Sequence, residues 1–160
     1  MGGDDTLIGG LGADDMRGGT GNDIYIVDNV SDSVTENFSE GTDIIYSSVT
    51  FTASSNVENL TLTGSSDISA TGNSLNNVLT GNSGDNTLTG NGGDDTLNGG
   101  NGNDTAVFSD VSNQIDLRIT TSQNTGDGYD ILTSIENVNA GGGDDTVTGN
   151  SGNNILRGEG

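Results

Sequence analysis

From Gly72 to Val107 the chain repeats every nine residues, as GNSLNNVLT, GNSGDNTLT, GNGGDDTLN and GGNGNDTAV, with no insertion across four copies. Glycine holds the first place and mostly the fourth, Asn or Asp the fifth and sixth, and an aliphatic the eighth. Each copy divides into a turn and a strand. The glycines permit positive φ and a tight backbone, and the last three residues, as in Thr87, Leu88 and Thr89, alternate polar, apolar, polar. The eighth residue alone points inward, so Leu7, Met16, Tyr25, Leu79, Leu88, Leu97, Ala106, Val147 and Leu156 are expected to form a single inner file. The expected fold is an all-β solenoid with no helix of any length.

The same period defines three blocks. Residues 1–26 hold an incomplete GGDDTLI, then GGLGADDMR and GGTGNDIYI; residues 72–107 hold the four copies above; residues 140–160 hold AGGGDDTVT and GNSGNNILR. The sixth places are thus Asp5, Asp14 and Asp23, then Asn77, Asn86, Asp95 and Asp104, then Asp145 and Asn154. Between the blocks, residues 27–71 and 108–139 are poor in glycine and carry short β-prone clusters such as Ile44 with Ile45, or Leu60 with Leu62. These inserts read as further strands of one continuous solenoid over residues 1–160. They also resemble each other, since GTDII (41–45) followed by VENL (57–60) matches GYDIL (128–132) followed by IENV (135–138).

Charge narrows the partners. With 24 carboxylates against Arg17, Arg118 and Arg157, the formal charge is −21, which excludes nucleic acid and anionic membrane surfaces and favours a cation. There is no His, Cys or Pro, so neither thiolate-bound zinc nor a histidine base is available, and the carboxylates are taken up by periodic turns. No enzyme is expected within these residues. No apolar run reaches the roughly 20 residues of a membrane span, and the start, Met1-Gly2-Gly3-Asp4, lacks the layout of a secretory leader. One buried aliphatic per nine residues does not offset the entropy of ordering nine backbones, so the chain is expected to be largely disordered without a bound cation.

The turn sequence, with its glycines at the first, second and fourth places and its Asp at the sixth, resembles the calcium-binding nonapeptide GGxGxDxUx of the RTX family. That resemblance implies a parallel β-roll in which two nonapeptides make one coil. Turns two repeats apart would then share a calcium ion through sixth-place Asp and turn carbonyls, several ions in all. Carried onto this chain, Asp5 stacks on Asp23, Asn77 on Asp95 and Asn86 on Asp104. The accompanying turn glycines are Gly9, Gly12, Gly18 and Gly21 in the first block and Gly90, Gly93, Gly99 and Gly102 in the middle one. Asn77 and Asn86 offer a neutral oxygen, so their turns are expected to bind weakly or through backbone. Asp14 finds only Asp32, without a glycine turn, at the coil spacing, and Asp145 is expected to need a turn beyond the chain's end.

The family also implies a secreted or cell-surface location through type I export, with a structural and secretion-assisting role beside flanking domains of a larger chain. The break in mid-repeat at Gly158, Glu159 and Gly160 fits a fragment of that kind. A module for surface carbohydrate or adhesion is the alternative. Outward Thr pairs, as at Thr61 and Thr63 or Thr87 and Thr89, resemble the ice-binding faces of some solenoids, although Thr also simply suits exposed strand positions.

Overall fold

The computed structural model describes residues 2–109 and 111–159. Met1 at the head of the first block, Asp110 in the second insert and Gly160 at the end of the third lie outside the described residues. The described residues form short strands and no helix. In chain order these are β1 (Thr6–Ile8), β2 (Asp15–Met16), β3 (Ile24–Val27), β4 (Ser33–Val34), β5 (Ile44–Ser47), β6 (Phe51–Thr52), β7 (Asn59–Leu62), β8 (Ser69–Thr71) and β9 (Val78–Thr80). There follow β10 (Thr87–Thr89), β11 (Thr96–Asn98), β12 (Thr105–Val107), β13 (Gln114–Asp116), β14 (Gln123–Asn124), β15 (Tyr129–Thr133), β16 (Asn137–Asn139), β17 (Thr146–Thr148) and β18 (Leu156–Arg157).

Successive nonapeptides fall on opposite sides of a parallel β-solenoid. One sheet runs β1-β3-β5-β7-β9-β11-β15-β14 and the other β18-β16-β12-β10-β8-β6. Register places like on like. In the first sheet Leu7 pairs with Tyr25, Tyr25 with Ile45, Ile45 with Leu60, Leu60 with Leu79, Leu79 with Leu97 and Leu97 with Leu132. In the second, Phe51, Ala70, Leu88, Ala106, Val138 and Leu156 form the corresponding line.

The eighth-place residues therefore make two facing files instead of one, because consecutive strands belong to different sheets. Tyr25, Leu79, Leu88, Leu97 and Ala106 are fully buried in them, Leu7 is half-buried and Leu156 exposed, while Met16, nearly buried, and Val147, half-buried, lie in the two-stranded sheets of β2 with β4 and β13 with β17. Large and small residues alternate along the second file, Phe51, Ala70, Leu88, Ala106, which suits a core only one side chain thick.

The first insert continues both sheets through β5 to β8, as the β-prone clusters imply. The second does so only through β15 and β16, after a detour through β13 and β14. There β14 runs antiparallel to β15, pairing Gln123 with Asp130 and Asn124 with Tyr129. The Gly126-Asp127-Gly128 turn permits the reversal, with Gly126 at φ 93°. The chain thereby leaves the coil and returns, so that β15 lands on β11, while β13 pairs with β17 in a separate two-stranded sheet.

Leu88 sits between Ala70 and Ala106, neither of which can fill its space. Leu88→Ala should lower stability in saturating calcium by about 2–5 kcal/mol, whereas Leu156→Ala, at an exposed site, should cost less than about 1. Chemical-denaturation midpoints of the two variants measure the difference.

Candidate metal centres

The turns between strands stack into columns held by two hydrogen-bond ladders of opposite sense. Fifth-place side chains reach forward, accepting the amide of the next coil: Asp4 from Asn22 at 2.8 Å, Asp67 from Asp85 at 2.8 Å, Asp85 from Asn103 at 2.9 Å, and Asn76 from Asp94 at 2.8 Å. Sixth-place side chains reach backward. Asp23 Oδ1 accepts the amide of Asp5, Asp95 Oδ1 that of Asn77 and Asp104 Oδ1 that of Asn86, each at 2.7 Å and each 18 residues away. The spacing of two nonapeptides per coil is thus realised at all three expected pairs.

Two expectations change. Asp14 does stack on Asp32, its amide donating to Asp32 Oδ1 at 3.1 Å. Without glycines, that turn closes on itself, since Asp32 Oδ2 accepts the amides of Asp28 and Asn29 at 3.3 and 3.2 Å. Asp145 has a partner behind it: Asn113 donates its amide to Asp145 Oδ1 at 2.9 Å across 32 residues. The hairpin of β14 and β15 accounts for the long separation.

The inserts supply rungs that the nonapeptide pattern does not mark. Asp43 Oδ1 accepts the amide of Asp23 and Asp130 Oδ1 that of Asp95, both at 2.7 Å, and Glu58 and Glu136 accept those of Asp43 and Asp104 at 2.9 Å. These four are the carboxylates of the recurring GTD, GYD, VEN and IEN pieces. That recurrence was the signal for them.

The two oxygens of a sixth-place aspartate differ in fate. Oδ1 of Asp23, Asp95, Asp104 and Asp145, and of Asp43 in the insert, is bound to an amide; Oδ2 of each, like Oδ2 of Asp5 and Asp14, is buried with no hydrogen-bond partner. A buried carboxylate oxygen left bare is costly, and such atoms mark a place for a ligand. First-place glycines leave room beside them. A Cβ on Gly90 would stand 2.2 Å from Asp95 Oδ2, and one on Gly99 would stand 2.5 Å from Asp104 Oδ2 and 2.1 Å from the Ser134 carbonyl oxygen. Carboxylate and carbonyl oxygens thus converge from adjacent coils, the donor set of a hard cation such as calcium.

Asparagine at the sixth place behaves otherwise. Asn77 Oδ1 accepts the amide of Asn73 at 2.7 Å, and Asn86 Oδ1 that of Asn82 at 2.8 Å. Their amide nitrogens donate to carbonyls of the preceding coil, Asn77 to Val57 at 3.0 Å and Asn86 to Ile68 at 3.0 Å. Both turns are satisfied by protein alone. Asn154 repeats the pattern, its Oδ1 accepting the amide of Asn150 at 2.9 Å.

Electrostatics sharpen the contrast. The ion pairs among the described residues, Arg17 with Asp15 and Arg118 with Asp116, are local and exposed, and neither touches a turn column. Burial pushes the Asp95 carboxyl up to about 6, with the neighbouring Asp130 charge adding to the effect and the Asn77 amide opposing it. Burial likewise raises Asp43, Asp104 and Asp130.

A flattened parallel β-roll with acidic, oxygen-lined turns along its edges is the architecture of a calcium-binding repeat protein. The family model of the RTX calcium-binding nonapeptide repeat, four copies, matches residues 1–29, 71–106 and 133–160, more than half of the chain, and the protein belongs to that family. The matched segments follow the three glycine-rich blocks. Comparisons with curated proteins and with solved structures gave no match.

Two outcomes follow from this geometry. Gly90→Ala, whose methyl would collide with Asp95 Oδ2, should weaken calcium binding by about tenfold or more, while Gly92→Ala, with no neighbour nearer than 4.0 Å, should leave it within about twofold, as read by isothermal titration. A carboxyl whose value rises on folding takes up a proton as the chain folds, so its stabilising contribution is present at low pH and is lost as pH rises through about 6. Protein stripped of metal on a chelating resin should therefore show more β signal by circular dichroism at pH 4.5 than at pH 7.

Proposed function

We propose that this chain is a folding module driven by calcium, serving as a structural and secretion-assisting segment of a larger exported protein. The observation that carries this reading is the row of buried, unpartnered aspartate oxygens in the turns. Asp5, Asp23, Asp95, Asp104 and Asp145 supply carboxylate ligands, with Asp14 as a further one, and turn carbonyls fill the remaining positions. The glycines beside them, Gly9, Gly18, Gly90 and Gly99 at first places and Gly12, Gly21, Gly93 and Gly102 at fourth places, keep backbone oxygens within reach. Asn77 and Asn86 act as turns that close without metal.

A bound calcium ion supplies the positive charge that the column lacks and accepts six to eight oxygens at once. At an extracellular millimolar concentration and a dissociation constant of about 0.1–1 mM, each site contributes roughly 0.5–1.5 kcal/mol, and several sites on one solenoid add cooperatively. Where calcium is scarce, repulsion among 24 carboxylates and bare buried oxygens favours the unfolded chain, a state suited to passage through an export channel. Where calcium is plentiful, the same residues order the roll and so favour folding outside.

A circular-dichroism titration from chelator into 10 mM calcium tests the reading: the disordered spectrum should give way to β signal in one cooperative step. A β spectrum of full strength in chelator at pH 7 contradicts it. Asn86→Asp should create one more bare oxygen and raise the number of ions bound at saturation by one, measured by equilibrium dialysis.

A further inference from the structure

We propose a calcium site completed from outside the nonapeptide pattern, in which Glu36 and Asp43 join Asp23 where the first glycine-rich block meets the first insert. It shares with the preceding reading the premise that the chain takes calcium and the ligand Asp23, whose Oδ2 it assigns to this site. One oxygen of each carboxylate lies within 4.8 Å of the other two, and the side chains are only 0%, 5% and 1% exposed. Asp23 Oδ2, Glu36 Oε2 and Asp43 Oδ2 are each buried without a partner.

The opposite oxygens are all committed, which fixes the three groups in place. Asp23 Oδ1 holds the amide of Asp5 and Asp43 Oδ1 that of Asp23, both at 2.7 Å. Glu36 Oε1 accepts the hydroxyl of Tyr25, which itself accepts the amide of Gly18 at 2.8 Å. The Glu36 backbone is pinned as well, since Asn56 Nδ2 donates to its carbonyl at 3.0 Å. Three buried carboxylates with no cation among the described residues paired to them need compensation, and the all-oxygen set fits a hard divalent ion. Calcium, at 2.3–2.6 Å from each ligand, spans oxygens up to about 5 Å apart.

Glu36 belongs to no repeat. The coil from Asp23 to Asp43 is 20 residues long rather than 18, and its turn begins with Phe38 where a nonapeptide has glycine. The chain thus brings in a glutamate from the preceding segment where the first-place glycine is missing, while Gly41 keeps the fourth place. With three carboxylates converging, the site carries more ligand charge than a nonapeptide turn and should be the first to fill.

Terbium, a luminescent calcium substitute, tests this in the full chain, because Tyr25 touches the ligand Glu36 and can sensitise a bound ion. Tyrosine-excited emission should appear at the lowest terbium additions and fall at least about fivefold in Tyr25→Phe, which keeps the ring in the core. Glu36→Gln retains an acceptor for Tyr25 and should lose one bound calcium by equilibrium dialysis, with first-site terbium affinity down about tenfold or more. Unchanged ion count in a folded Glu36→Gln, or emission unaltered by Tyr25→Phe, overturns the site while leaving the nonapeptide turns intact. A wild-type chain that takes no calcium at 10 mM overturns both readings.

Discussion

A sixth-place aspartate carries two oxygens, and the stacked backbone offers an amide to only one of them. Everything else about the chain turns on that imbalance. The amide bond from the preceding coil sets the column spacing and aligns the turns. The second oxygen is then held beside a first-place glycine, sealed from water and bare. In an ordinary protein a lysine, an arginine or a hydroxyl would meet it. Here the cations number three, and the two that are paired sit on strand flanks. The proposed role for calcium rests on that lack of positive charge in the turns.

The thin core reinforces the dependence. Each nonapeptide brings one aliphatic to the core, which is completed by insert residues such as Val57, Ile115 and Ile135. Hydrophobic burial selects register, because a one-residue slip would turn every Leu outward. It does not by itself hold a chain this acidic together. On the proposed reading, turns and core register are complementary: the files say which strand lies on which, and calcium in the turns decides whether the strands assemble at all. Asparagine turns at 77 and 86 relax that requirement locally, by swapping a bare oxygen for an amide that bonds within the protein at both ends.

Much of this is legible in the residues. The nine-residue phase leads directly to the coils, to the buried eighth place and to the pairs Asp5–Asp23, Asn77–Asp95 and Asn86–Asp104. What escaped it depends on distance in space rather than in sequence. Asp145 meets Asn113 across 32 residues because a hairpin is spliced between them, and Glu58 reaches Asp43 across 15 because that coil is short. Asp32 serves without glycines because its own side chain closes the turn. Glu36 has no periodic position at all; only the fold brings it to Asp23 and Asp43. A linear period shows one inner file where the fold has two, because it does not reveal that alternate copies face opposite sheets.

Anomalous diffraction from crystals grown in calcium, collected at a long wavelength, tests the central claim most directly. Bound ions should lie within about 2.3–2.6 Å of Oδ2 of Asp23, Asp95 and Asp104, the oxygens that the protein leaves bare, with none on the side chains of Asn77 and Asn86. Full-occupancy ions ligated by those asparagines, or well-ordered aspartate turns in calcium with no ion beside Oδ2, would contradict it.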